Sequence, residues 1–195
     1  HYVWVLDPRE LNTEQTKLFI KYLYTNKNIY KILHGADSLD TPYMFTELFN
    51  NDYNTILKYT RKFIDTRFVC EFIKIVTKQE IKKCSIYDAL LYFNVITQEK
   101  YDLFDNNAEK MDPIYKLQWN IKYLKSFQLQ YAVYDVIFLQ QFLFKMMEQS
   151  PDLSIQLIPE LTRFIFLEKY EVTGLLKDLK PIVDKLNIYR LNSKH

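Results

Sequence analysis

The sequence predicts an α/β protein: a small core of short strands alternating with helices, wrapped by further helices. Three observations carry this. Three short β-rich apolar runs (3–6, 29–33 and 62–65) alternate with helix-like segments in the first 77 residues. After residue 65, the patterned segments repeat their apolar residues at three- and four-residue spacing. Finally, 48% of the chain is hydrophobic, enough to fill a core and to exclude a disordered chain.

The elements follow in order. VWVL (3–6) reads as a buried strand stopped by Asp7-Pro8. Asn12-Thr13 caps a helix over 14–25, with Leu18, Phe19 and Tyr22 on one stripe. Residues 29–33 form a second strand ending at His34-Gly35. Ser38 or Asp40 starts a helix through Phe49, with Pro42 tolerated in its first turn. The polar run 50–59 reads as a loop insertion, and 62–65 as a third strand. Helices are expected over 66–77 and over 85–93, the latter capped by Ser85. The polar run 97–112 reads as a long loop, and 114–124 as helical. The clearest helix is 129–148, with Ala132, Val136, Leu139, Leu143 and Met146 on one stripe and Tyr131 and Asp135 beside it. Ser150-Pro151 ends it. A helix over 152–169 follows, with Leu157, Leu161, Phe164 and Ile165 on its apolar face. The last runs over 175–186, interrupted at Pro181.

Composition narrows the function. At 195 residues the chain suits one domain (1–149) with a helical extension (150–195). The 26 basic and 24 acidic residues nearly cancel, so any basic surface is local. Gly35 and Gly174 are the only glycines, which excludes the glycine-rich loops that cradle nucleotide phosphates. His1, His34 and His195 lie far from Cys70 and Cys84, so no zinc ligand set is visible and the cysteines read as reduced structural thiols. No apolar run reaches the roughly 18–20 residues of a spanning helix, and no membrane partner is expected. No signal peptide is visible, and a start at His1 rather than Met reads as a fragment or processed piece.

Two runs carry chemistry. In YAVYD (131–135), Tyr131 and Asp135 share one helical face. HGADSLD (34–40) lies about a hundred residues upstream. A phenol and a carboxylate one turn apart, joined by a second carboxylate on a loop, can hold a metal and aim a water.

KILHGADS (31–38) resembles the second motif of the RNase D-like 3′–5′ exonucleases, the DEDDy branch of the DnaQ-like superfamily, and most of all its exosome-associated members. Further segments agree in order. They are VLDP (5–8), FIDT (63–66), SIYDALL (85–91), the W..RPL-like WNIKYL (119–124) with Lys122 for arginine and Tyr123 for proline, and the YAxxD-like YAVYD (131–135). The likeness spans about residues 3–147. The tail is too short for the full helical HRDC module that often follows in relatives. The resemblance implies a ribonuclease H-like 3′–5′ exonuclease fold, with a mixed sheet and helices. It also implies two-metal phosphodiester hydrolysis with Mg²⁺ or Mn²⁺. Asp40 and Asp135 would ligate metal, Tyr131 would position the attacking water, and His34, Trp119 and Lys122 would lie near the nucleic acid. RNA or another single-stranded nucleic acid, a larger RNA-processing or silencing complex, and a nuclear or nucleolar site would follow.

Two departures stand out. No Asp-x-Glu lies on a strand ahead of Val3, and Asp7-Pro8-Arg9-Glu10 has the wrong spacing, so two of the family's four acids are not in this chain. The second motif also carries one extra residue: Leu39 stands where the family has aspartate, and Asp40 follows. One residue turns a helical side chain by about 100°. Asp40 serves if the loop absorbs Leu39, which puts Met44 at an apolar position; otherwise Asp37 or no residue serves. Two readings stay open: part of a working exonuclease, or a degenerate domain kept as an RNA-binding or assembly scaffold. Plainer roles compete at each residue. Asp40 suits a helix cap, Tyr131 and Asp135 a surface pair, His34 a strand end, Trp119 the core, and Asp65 a turn closed by its side chain.

Overall fold

The computed structural model describes residues 2–77, 80–81, 83–109, 119–150 and 153–169. It is a mixed α/β protein, mostly helical, with a small two-stranded parallel sheet. β1 (Lys31–Leu33) pairs with β2 (Phe63–Asp65) in the register Lys31 to Phe63, Ile32 to Ile64 and Leu33 to Asp65. The order is α1 (Thr13–Phe19), β1, α2 (Asp40–Tyr43), α3 (Tyr53–Thr60), β2, α4 (Thr66–Thr77), α5 (Ile86–Tyr92), α6 (Gln98–Glu109), α7 (Ser126–Ile137), α8 (Leu139–Gln149) and α9 (Leu157–Lys169).

Local chemistry explains the boundaries. Asn12 and Gln15 form a reciprocal capping box that starts α1, which widens into a π-helical turn over Ile20–Tyr24. α2 starts at Asp40 and continues as a second π-helical turn, Met44–Leu48. Gly35 sits at φ 64°, a conformation that strains any side chain, and this bends the chain out of β1. Asn50 and Asn51 take the same left-handed region ahead of α3.

Two clusters build the core. The larger lies between the sheet, α4, α5, α8 and α9, and includes Ile64, Ile73, Leu90, Phe93, Phe142, Met146 and Ile158. The smaller is aromatic: Tyr59 meets Phe63, Phe49 and Tyr24 at centroid distances of 5.1, 5.3 and 5.8 Å. α9 opens the expected extension, yet Ile158 and Leu161 are buried, and Thr162 Oγ1 accepts the Asp65 N–H at 3.3 Å.

Several expectations are corrected. Residues 3–6 form no strand: no described strand pairs with them, and Val3, Trp4, Val5 and Leu6 are exposed. Backbone groups left without a ladder stay with water. Leu18 and Tyr22 are exposed, so that stripe is not a core face. The run 50–59 is not a loop. Asp52 caps α3 by accepting the Thr55 N–H at 2.8 Å, and Ile56 and Tyr59 are buried. The run 97–112 contains α6, anchored by buried Phe104. The helix expected over 129–148 is two, interrupted at Phe138, and Val136 is exposed. The helix expected over 152–169 begins at Leu157. Cys70 and Cys84 are not free thiols. α4 and the segment before α5 bring their Cα atoms to 5.9 Å, and the two form a disulfide. Of 114–124, only Ile121–Tyr123 shows a helical turn, of the 3-10 kind; 114–118 and the helix expected over 175–186 lie outside the described residues. Among the described residues, no helix is long and apolar enough to cross a membrane.

Candidate functional site

The site forms where β1 ends. Asp65, the last residue of β2, is fully buried. Its Oδ1 accepts the N–H groups of Gly35 and Arg67, and its Oδ2 that of Ala36, each at 2.9 Å. Burial pushes this carboxyl up, while the backbone N–H groups pull it down. Asp65 thus holds the turn that carries the chain from His34 toward Asp40.

His34 stands at the strand end. Its Nδ1 lies 2.9 Å from Thr66 Oγ1, which also reaches the Leu33 carbonyl at 2.9 Å. Its ring faces Phe142 at 6.1 Å. Burial pushes the imidazole down to about 4; the Cys84 backbone opposes that and the Arg67 charge reinforces it. The ring is therefore neutral near pH 7. Nε2 is buried and makes no hydrogen bond of full geometry among the described residues.

The extra residue of the second motif is turned outward: Leu39 is 74% exposed. Asp40 then begins α2 and reaches the cavity, while Met44 is buried. Asp40 keeps an open face to solvent, but crowding by its neighbours pushes its carboxyl up, and the Asp65 charge adds to this.

α7 supplies the opposite wall. Tyr131 hydrogen-bonds Asp135 one turn later. Tyr87 of α5 donates to Asp135 Oδ1 at 3.5 Å. Burial pushes Asp135 up to about 6; both phenols pull it down and the nearby Asp40 charge pushes it up. Burial and the Asp135 charge push both phenols up, so they stay protonated and donate.

His34, Asp40, Trp119, Tyr131 and Asp135 line one cavity of about 390 Å³. Of the residues singled out from sequence, Lys122 lies outside that lining; it is exposed and pairs with Glu10 at 3.5 Å. Asp40 and Trp119 also line an adjoining cavity of about 560 Å³, walled by Pro8, Arg9 and Tyr43. Arg9 forks onto Asp7 at 2.9 and 2.7 Å and donates to the Trp119 carbonyl at 3.3 Å. Tyr87 and Arg9 were not legible as site residues. Their contacts span 48 and 110 positions, and no local pattern marks them.

Among the described residues, the polar lining of the 390 Å³ cavity is two acids, a phenol, an imidazole and an indole, with no lysine or arginine. Such a lining attracts cations and repels a bare phosphate. Two carboxylates can hold part of a cation's shell. Among the described residues no cluster of three or more His, Cys, Asp or Glu gathers. Asp40 and Asp135 are the carboxylates of this lining that would hold such a cation.

Among curated proteins, the chain is 37% identical to the uncharacterized protein L533 of Acanthamoeba polyphaga mimivirus over 207 aligned positions, covering 96% of this chain and 41% of that protein. The chain thus spans about two fifths of the length of the relative it matches. No family model matches the chain. No solved structure matches it.

Proposed function

We propose that this chain is an RNase D-type 3′–5′ exonuclease domain with a ribonuclease H-like fold, and that its cavity receives the 3′ end of single-stranded RNA. One observation carries the reading. Asp40, from the first quarter of the chain, and Tyr131 and Asp135, from α7, converge on one cavity beside His34 and Trp119. Their residue types are those the sequence resemblance asks for, and turning Leu39 outward removes the register problem at Asp40. In this reading Tyr131 orients the attacking water through its phenol. Asp135, held by the Tyr87 and Tyr131 phenols, would offer its carboxylate to a metal. Trp119 offers a face for the terminal base. Hydrolysis by two Mg²⁺ or Mn²⁺ ions requires two more acids than the cavity shows. In this reading the domain cuts only where further acids join them from outside the cavity's described lining.

The scarcity of acids favours a second reading. Among the described residues the cavity brings together two carboxylates, Asp40 and Asp135, which suits a domain that holds RNA or assembles with other proteins without cutting.

The test is degradation of 5′-end-labelled single-stranded RNA with Mg²⁺ or Mn²⁺, by this chain and by the natural protein as it is expressed. A one-nucleotide ladder that is lost in both Asp40→Asn and Asp135→Asn supports the first reading. RNA retention without a ladder supports the second. A ladder that survives both substitutions, or the absence of both cleavage and retention, removes the site assignment.

A further inference from the structure

Cys70 and Cys84 stand behind the cavity, and their disulfide reaches it by two routes. The bond ties α4 to the residue just ahead of the α5 cap. Ser85 is that cap, yet its hydroxyl makes no capping bond to the backbone; it donates to the Asp88 carboxylate instead. Sulfur thus anchors the entry of α5 where an ordinary cap would. The first turn of α5 carries Ile86, which lines the cavity, and Tyr87, which donates to Asp135 Oδ1 at 3.5 Å. By the second route, the Cys84 backbone lies against the His34 imidazole and supports its protonated form.

The surrounding fold depends less on the bond. Cys70 sits in the larger core cluster with Val69 and Ile73, where a thiol packs as a small hydrophobe. Buried Ala89, Leu90 and Phe93 hold the body of α5. α6 supports its first turn from outside, through Tyr101 donating to Asp88 at 3.0 Å and Phe104 against the Tyr87 ring at 5.1 Å. Among the described residues of 80–85, Ile81 and Cys84 are the buried ones. Opening the bond therefore leaves α4 and α5 packed and slackens the stretch between them, the one that touches His34 and leads into Tyr87. Both sulfurs are enclosed, with Cys70 0% and Cys84 3% exposed, so exchange waits on local opening of that stretch.

We propose that the Cys70–Cys84 pair is a reversible redox switch for the cavity. Oxidised, it holds the wall formed by His34 and Tyr87 in place; reduced, it lets that wall slacken. The switch operates whatever the cavity takes, RNA or another ligand. A dithiol reductant throws it. One thiolate of the reagent attacks a cysteine sulfur, and the S–S bond breaks as a mixed disulfide forms. The reagent's second thiol then closes on the first and releases the other cysteine. The reagent ends oxidised, and its two protons pass to the cysteine thiols.

Amide hydrogen exchange and diethyl pyrocarbonate labelling test it, on this chain purified without reductant and then treated with dithiothreitol. Thiol alkylation with peptide mapping reports the state of each sulfur. The Ala89 N–H, which donates to the Ser85 carbonyl at 3.0 Å, reads the first turn of α5. The Lys31 N–H, on the Lys62 carbonyl at 2.8 Å, reads the sheet. Reduction should speed Ala89 exchange and His34 carbethoxylation by at least about tenfold each, and leave Lys31 exchange within about twofold. Re-oxidation should restore both rates. Cys70→Ala combined with Cys84→Ala should match the reduced chain and ignore the reagent. Four results overturn the proposal: free thiols before treatment, unchanged Ala89 and His34 rates after it, a change that re-oxidation does not reverse, or equal acceleration at Lys31. Equal acceleration, like loss of the fold on reduction, would make the bond a staple of the whole protein.

Discussion

Asp65 and Asp135 are both carboxylates withdrawn from water near the end of β1, and they are treated in opposite ways. Asp65 is enclosed and saturated, with three backbone N–H groups at 2.9 Å and the Phe68 backbone N–H on its oxygens. Asp135 is held by two phenols, looks into a cavity, and keeps bonding capacity unused. A saturated buried acid has no lone pair to offer and serves the fold. A crowded, half-bonded acid facing open space can still take a further partner. Residue type does not separate them; the backbone around them does.

The largest effect that would break this contrast is at Asp65. Asp65→Ala strands three backbone N–H groups in the interior, and should cost about 3–5 kcal/mol in urea denaturation. A variant as stable as the parent would show that the turn at Gly35 does not depend on this carboxylate.

Asp135 should behave the other way. Its folded form is raised to about 6, above the ordinary value of 3.8, so it binds its proton more tightly when folded. Its contribution is complete below about pH 4 and is lost as the pH rises through 6. Asp135→Asn should therefore stabilise the protein at pH 7, by on the order of 2 kcal/mol, and change little at pH 4. Destabilisation at pH 7 would mean the carboxylate is a structural anchor like Asp65.

His34 supplies an opposing slope. Its folded form is lowered to about 4, so its contribution is present above about pH 6.5 and fades as the pH falls through 4. His34→Gln should remove that acid-side loss, by about 1–2 kcal/mol, in denaturation curves from pH 7 to 4. An unchanged slope would place the imidazole in contact with solvent.

The smallest effect sharpens the contrast. Tyr87→Phe removes one phenol from Asp135, and the carboxyl should titrate above 6, by less than about 1 pH unit, in carbon-13 NMR. A downward move would mean that Tyr87 acts by crowding rather than by donating.

Sequence periodicity located β1, β2, α4 and α5, because each is a patterned run bounded by turn or capping residues. α3 and α6 were hidden because their buried anchors are few: Ile56 and Tyr59 in one, Phe104 in the other, amid polar neighbours. The opposite error placed a strand at 3–6, since apolar content says nothing about whether a neighbouring strand is present. The break at Phe138 was invisible because the stripe of α7 and α8 continues across it in sequence. At the site, the pairing of Tyr131 with Asp135 was legible from helical spacing alone. That Asp40 lines the same cavity depends on Leu39 turning outward, a backbone event that spacing leaves open. The disulfide escaped because nothing local brings Cys70 to Cys84.

The chain has two tryptophans, and the fold gives each a separate assignment. Trp119 lines the cavity with Asp40 and Asp135, while Trp4 stands exposed on the wall of a groove beside β1. Intrinsic fluorescence is thus a two-channel reporter built into the protein. Nucleic acid stacking in the cavity would quench the Trp119 emission, whereas anything covering the groove would shift the Trp4 emission to the blue. A Trp4→Phe variant would leave the cavity's signal alone in the spectrum.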